Sequence, residues 1–303
     1  VGLAFGQDAE ELGLSYVEDF SAYTNGATIS DMNAIVESEG TEVDFLGQWT
    51  SGEADMSKIV DKGNNNVLSL DTAGDVVTNT LFAGQTISDA LKNGATVDIS
   101  ATMTFIPSDE IESSFVDAYS PNGDFAIVDN GDLKFGLYAY EYDVTKTVTE
   151  GETTQEVVEV VTNLVIYHSY YQPVVGEGDD ACNPCGYTNN VINITEINPN
   201  AANIFAEEQS VIVTLKSFDG ELFFKVAIDG ITDGITSPLG CSDAAFSDEK
   251  LALTISPVPD GGCWFRSVQS AANNDIKISA LNFSGTGEIS YLDVYSAAGG
   301  EGG

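Results

Sequence analysis

The side chains in this chain that could most readily carry out chemistry are its carboxylates. Asp and Glu number 48 against 10 Lys and Arg and a single His, a formal net charge of -38 over 303 residues. Two carboxylates that alternate along one strand, about 5 Å apart, can hydrolyse a glycosidic bond. The nearest string, Asp109-Glu110-Ile111-Glu112, instead follows Pro107 and leads into a serine-rich loop. We therefore predict that the chain is not an enzyme.

His168, the single histidine, lies in an alternating run beside Tyr167, Tyr170 and Tyr171. One histidine cannot form a histidine-rich metal site. No Gly-x-Ser-x-Gly motif accompanies it to supply an activated nucleophile. We predict a structural or surface role for this residue.

The four cysteines indicate structural disulfides. Cys182 and Cys185 form a close pair in a loop, and Cys241 and Cys263 flank a segment that can close as a hairpin. Four cysteines allow three pairings, and proximity favours 182–185 together with 241–263. A zinc site would lack a second CxxC pair, and a redox CxxC would lack its usual βαβ unit. Disulfides are typical of a secreted or cell-surface protein.

The negative charge excludes two classes of partner. A surface this acidic repels nucleic-acid phosphates and anionic membranes, and it suits an exterior whose salt or calcium screens self-repulsion. No run of about 18 apolar residues is present, so no membrane span is predicted. The acids are spread along the chain and are predicted to form a solvated shell, including Glu141, Asp143, Glu156, Glu159, Asp219 and Glu221.

The elements that must position these residues are almost all strands. Residues 97–106 alternate apolar and polar side chains and stop at Pro107. Two more alternating runs, at 211–216 and 222–228, flank a short turn and predict a hairpin. Helical periodicity is brief, around residues 29–36 and 86–91.

A long β-hairpin is predicted at about residues 134–171, followed by a cysteine-containing loop at about 176–190. No break in composition divides the chain. Residues 16–296 are therefore predicted to form one domain, between an N-terminal arm (1–15) and a Gly-rich tail (297–303). The expected fold is all-β, a two-sheet antiparallel sandwich with a long hairpin insertion and a few short helical turns.

Four stretches resemble the concanavalin A-like jelly-roll superfamily, in particular the laminin-G-like domains of exported bacterial surface proteins. They are residues 16–23 with Trp49 after them, residues 67–72, residues 211–228 and residues 278–295. The resemblance spans most of the chain and implies a jelly roll. It implies little about activity, because lectins, glucanases, adhesins and structural modules share this fold.

The resemblance also implies a structural calcium ion that joins the first strand to the last. The matching positions in this chain are Glu18 or Asp19 near the start and Asp293 in the closing strand. Carboxylate oxygens are the ligands that calcium prefers. We therefore expect Ca²⁺ at these residues and no other cofactor.

Two hypotheses for function follow. In the first, the protein is a non-catalytic subunit that assembles with copies of itself into an extracellular filament or surface layer. The apolar arm residues Val1, Leu3 and Phe5 would then complete a neighbour's sheet. The same arm also fits the end of a secretory signal or a buried first strand.

The alternative is a lectin-like module that binds cell-surface glycans. Such a site needs aromatic platforms beside polar groups in a cleft. Trp49, Tyr140 and Trp264 are the candidate platforms. Both tryptophans also sit next to core positions of the resembled family, which favours core packing over a platform role for them.

Overall fold

A computed structural model describes residues 15–38, 48–52, 56–70, 76–81, 84–106, 124–129, 133–151, 153–172, 186–193, 204–218, 220–228, 255–257, 263–266 and 278–297. Two α-helices lie in these residues, α1 (Ile29–Ser38) and α2 (Gly84–Lys92), and one short 3-10 helix at Ile204–Ala206. The strands of the first half are β1 (Ser15–Glu18), β2 (Gln48–Ser51), β3 (Lys58–Asp61), β4 (Asn66–Leu70), β5 (Val76–Thr80), β6 (Thr96–Ile106), β7 (Asp124–Asp129) and β8 (Leu133–Glu150). Those of the second half are β9 (Thr153–Gln172), β10 (Gly186–Asn193), β11 (Gln209–Phe218), β12 (Glu221–Ile228), β13 (Ile255–Pro257), β14 (Cys263–Arg266), β15 (Ala280–Ser284) and β16 (Thr286–Ala297).

The described strands form two antiparallel sheets. The nine-stranded sheet has the order β13-β14-β12-β11-β6-β16-β4-β3, with β1 also paired to β16. The seven-stranded sheet has the order β10-β9-β8-β7-β15-β5-β2. This arrangement confirms the predicted all-β, two-sheet jelly-roll sandwich with its hairpin and short helices.

Strand β16 organises the nine-stranded sheet. Strand β6 pairs along nearly all of one edge, while β4 pairs with residues 287–289 and β1 with residues 292–295. A β-bulge between Ile289 and Tyr291 lies where the neighbour changes from β4 to β1. The bulge bends the strand at that point and changes the direction in which its side chains project.

The core lies between the sheets and follows from strand alternation. Val97, Ile99 and Ala101 of β6 are buried beside Leu292 and Val294 of β16. Aromatic rings continue the core, with Phe20 5.9 Å from Trp49, Trp49 6.3 Å from Phe283, and Phe283 stacked 5.2 Å from Phe125. The turn at Gly285, whose φ is 93°, carries the chain from β15 in one sheet to β16 in the other.

Helix α1 is fixed at its start and along its side. Thr28 and Asp31 form a reciprocal cap, in which each backbone N–H donates to the other's side-chain oxygen, at 3.0 Å and 3.3 Å. Further along, Asn33 accepts from the Trp49 N–H at 2.9 Å and donates to the Trp49 carbonyl at 2.6 Å. These bonds hold the tryptophan in the core.

Several predicted boundaries shift in the structure. The first strand ends at Glu18 instead of continuing to Tyr23, because Phe20 adopts a φ of 58° and turns the chain. Strand β10 begins at Gly186, inside the loop predicted for 176–190. The hairpin predicted at about 134–171 is confirmed as β8 and β9.

Other predictions fall outside the described residues. These are the arm residues Val1, Leu3 and Phe5, the cysteines Cys182, Cys185 and Cys241, the acidic string at 109–112, and the tail from residue 298. The disulfide pairing therefore stays a prediction. In the described part of the chain, no helix is both long enough and apolar enough to cross a membrane.

Candidate functional site

The candidate site lies on the outward side of the nine-stranded sheet, where β16 exposes two aromatic rings. Leu292 and Val294 point into the core, so Tyr291, Asp293 and Tyr295 point outward. Tyr291 is 36% exposed and Tyr295 is 50% exposed. One strand thus presents a Tyr-x-Asp-x-Tyr series to solvent.

Neighbouring strands extend this surface with polar groups. On β6, Thr102, Ser100 and Asp98 stand opposite Tyr291, Asp293 and Tyr295, in that order. All three are partly exposed and alternate with buried residues. On the other side, Val17 of β1 stands opposite Asp293. We call this surface the open face; its residues are Val17, Asp98, Ser100, Thr102, Tyr291, Asp293 and Tyr295.

The carboxylates of the open face are electrostatically linked. Two causes raise the pKa of Asp293. Partial burial is the larger, and the nearby negative charge of Asp98 adds to it. Partial burial and the charges of Asp293 and Asp19 raise the pKa of Tyr291. Asp19 therefore lies close enough to act on the same tyrosine as Asp293. The face combines negative charge, hydroxyl groups and phenol rings, which suits a ligand rich in hydrogen-bond donors.

Glu18, one of the predicted calcium ligands, points away from this face. Its side chain is 6% exposed, and its oxygens accept hydrogen bonds from the Phe20 N–H at 2.8 Å and the Tyr23 hydroxyl at 3.0 Å. Burial raises the pKa of this carboxyl, against the effect of both hydrogen bonds. The buried position also departs from the solvated shell predicted for the acids.

Of the two acids predicted as alternatives beside Asp293, Glu18 is therefore engaged in its own buried hydrogen bonds and Asp19 is the exposed one. The described residues contain no group of three or more His, Cys, Asp or Glu side chains that could hold a metal ion. Asp19 is exposed, with the Ser21 N–H donating to it at 2.9 Å, and hydrogen bonds from Ser21 lower its pKa. A calcium ion bound by Asp19 and Asp293 without Glu18 stays a prediction.

Trp49 cannot serve as the sugar platform proposed in the lectin-like alternative. Its side chain is fully buried between Phe20 and Phe283, so no ligand can stack on it. The core-packing alternative is the one the structure bears out. Tyr140 lies in β8 opposite Asn163, and Trp264 lies in β14 opposite Ser256. Their role as platforms stays a prediction.

Sequence reasoning did not single out the residues of the open face, except for Asp293. The signal was present in the closing strand, where tyrosine and aspartate alternate with leucine and valine. Alternation assigns these side chains to one face but does not say which strand lies beside them. Asp98 is 195 positions away in sequence and reaches Asp293 only through the pairing of β6 with β16.

Comparison with protein-family models found no match, and comparison with curated proteins found none. Among solved structures, the chain is similar to an endo-1,3-beta-glucanase from Streptomyces sioyaensis, with 9% sequence identity and a TM-score of 0.35. The match covers 98% of this chain and 100% of that chain. A likeness at this level assigns no ligand and no reaction to this chain.

The comparison corrects one prediction. We predicted from the sequence that the chain is not an enzyme, whereas the similar structure belongs to an enzyme. The prediction is contradicted by that finding and is withdrawn. It rested on the string at 109–112, which lies outside the described residues.

Proposed function

We propose that the protein binds carbohydrate through the open face of its nine-stranded sheet. The observation that carries this proposal is the exposure of Tyr291 and Tyr295 on one side of β16, with Asp293 between them. Tyrosine offers an apolar ring that can stack on a sugar and a hydroxyl that can hydrogen-bond to it. This assignment replaces Trp49 by residues that a ligand can reach.

The spacing and charge of the face indicate the kind of ligand. The two tyrosines are four positions apart, about 13 Å along an extended strand, so the face suits an oligosaccharide rather than one sugar ring. Asp98 and Asp293 can accept hydrogen bonds from sugar hydroxyls. The net charge of -38 opposes sulfated or uronic polymers. We expect neutral or amino-substituted glycans.

The test is binding of glycans to the wild-type chain and to variants of the face. Isothermal titration calorimetry against neutral, amino-substituted and anionic oligosaccharides should detect binding in the first two classes only. The double variant Y291A/Y295A should weaken it about tenfold or more, since aromatic stacking contributes about 0.5–1.5 kcal/mol per ring and two rings are removed.

Thr80→Ala is the matched control, because Thr80 is exposed on the other sheet. Equal binding by wild type and Y291A/Y295A would remove the open face as the site. An absence of binding to every glycan would remove the proposal.

A second candidate function is self-assembly into a filament or surface layer. The observation that favours it is a two-stranded projection of β8 and β9 that has exposed valines and no described neighbour. Sedimentation equilibrium of the full chain tests this candidate directly. A single species at monomer mass under all salt conditions would contradict it.

We also propose that the protein acts outside the cell, as the laminin-G-like resemblance implies. Four cysteines and a strongly acidic composition support this localisation. Mass spectrometry after alkylation without reduction tests it through the cysteines. Four alkylated thiols in protein isolated from its source would contradict the disulfides and weaken the localisation.

A further inference from the structure

The hairpin of β8 and β9 is much longer than the sheet that supports it. Strand β7 pairs with β8 only through residue 138, and β10 pairs with β9 only from residue 165. Between these points, residues 139–150 and 153–164 pair with each other and with no other described strand. We call this part the free ribbon; it comprises residues 139–164.

The free ribbon has the features of an interaction surface. An isolated two-stranded ribbon is marginally stable in water, and an unpaired edge is a template for another strand. Val158 and Val160 are 59% and 61% exposed on one side of β9. Val157 and Val148 are also exposed, on the other side. Valine at such positions gains stability when a neighbouring strand covers it.

The charges of the β9 edge restrict which strand can pair there. Glu156 and Glu159 are exposed on opposite sides of the strand, and Glu159 forms an ion pair with Lys146 of β8. Like charges directly opposite each other destabilise a strand pair. A second copy of the chain can therefore pair with this edge only in a register that keeps these glutamates apart.

A register centred on Val158 satisfies this condition and brings the exposed Val158 side chains of the two copies together. We propose that two copies associate by antiparallel pairing of their β9 edges around a two-fold axis at Val158. The two Val158 side chains then meet across the axis, with Cα atoms about 4.5–5.5 Å apart. Each Glu156 stands opposite the second copy's Val160, and each Glu159 opposite its Val157. Registers centred on Glu156 or Glu159 would place identical carboxylates opposite each other.

The resulting contact is a four-stranded ribbon, β8-β9-β9-β8, with Val157, Val158 and Val160 of both copies at its centre. A two-fold contact uses the same surface on both copies and closes on itself. A filament would need a further contact, the role predicted for the arm residues Val1, Leu3 and Phe5. The inference thus rests on the second candidate function and specifies one of its interfaces.

Glutamate substitution at two exposed valines of the same ribbon tests the pairing. V158E puts two carboxylates on the axis and should weaken the dimer about tenfold or more. V148E makes the same change on β8, away from the proposed edge, and should associate like wild type. Sedimentation equilibrium at about 0.1 and 0.5 M NaCl measures both. Wild-type association should strengthen with salt, because screening reduces repulsion between two chains of charge -38.

A mixture of variants makes the test specific for the axis. V158E and V158K should each self-associate more weakly than wild type, and an equimolar mixture should form a heterodimer more tightly than either variant pairs with itself, because Glu then faces Lys at the centre. Circular dichroism checks that each variant is folded. Assembly that V158E leaves unchanged would overturn this interface while leaving self-assembly standing. A wild-type chain that stays monomeric would overturn both, and the glycan proposal is untouched by either result.

Discussion

At the scale of single residues, Glu18 is the position where structure departs most from composition. Among so many acids it looks like another surface carboxylate, yet it is buried behind the turn at Phe20. Its oxygens accept from the Phe20 N–H and from the Tyr23 hydroxyl, so it ties together the turn that ends β1. The adjacent Asp19 stays exposed, because successive side chains on an extended chain point to opposite sides.

Replacing Glu18 by Gln should flatten the dependence of stability on pH. Burial raises the pKa of Glu18 above its ordinary value of 4.5. At pH values between the ordinary pKa of the unfolded chain and the raised pKa of the folded state, the folded state binds more protons than the unfolded chain. The contribution of this group to the free energy of unfolding is therefore fully present below 4.5 and is lost as the pH rises through the folded pKa. Urea unfolding across this pH range should show that loss in wild type and not in E18Q.

Glu207→Gln is the control, since Glu207 is exposed and its substitution removes the same charge. Parallel pH profiles for wild type and E18Q would show that Glu18 does not titrate differently in the folded state.

At the scale of elements, strand β15 links aromatic residues of strands β7 and β2 within the core. Phe283 stacks on Phe125 of the neighbouring strand β7 and contacts Trp49 of β2. Two residues later the chain turns at Gly285 and enters β16, which carries the tyrosines of the open face. Packing of β15 therefore fixes where the open face begins.

Truncation of Phe283 to Ala should be among the most damaging single changes to this fold. Removing a fully buried ring costs about 3–5 kcal/mol in the free energy of unfolding, through lost burial and the cavity left behind. Val76→Ala on the adjacent strand β5 is the control, because Val76 is exposed and should change stability by about 0.5 kcal/mol or less. Chemical denaturation measures both. A loss below about 1 kcal/mol for F283A would contradict the stacked core.

At the scale of the whole molecule, the charge of -38 acts on stability rather than on one site. Only two described acids show raised pKa values, Glu18 and Asp293, and burial is the main cause in both. Three acids of the free ribbon are exposed, as expected for the predicted solvated shell: Asp143, Glu156 and Glu159. The charge therefore repels anionic partners and also opposes the compact state.

Raising the salt concentration should stabilise the fold. The screening length falls from about 30 Å at 0.01 M to about 10 Å at 0.1 M, which weakens repulsion among the 48 acids. The melting temperature should rise steadily with NaCl over this range. A melting temperature that is constant or falls with salt would mean that attractive surface pairs, such as Lys62 with Glu288, outweigh the repulsion.

Calcium chloride at matched ionic strength separates screening from binding. An additional rise in melting temperature that D293N removes would support a calcium ion at Asp19 and Asp293. Identical curves for the two salts would exclude it, since a ligand that binds the folded state raises its stability.

The sequence by itself determined the fold class and most of the strands. Alternation of apolar and polar residues is a local property, so β6, β11, β12 and the long hairpin could be predicted from their own residues. The short strands β3, β5 and β13 could not, because three to five residues carry too little periodicity and their neighbours define them.

Only the tertiary structure decided which residues form the site. Trp49 and Tyr291 are both aromatic residues in strands, yet one is fully buried and the other lies on the open face. Asp98 and Asp293 become neighbours through strand pairing across 195 positions. Burial and pairing of this kind depend on contacts between distant segments. Local sequence assigns a residue to one side of its strand, and the fold determines what that side meets.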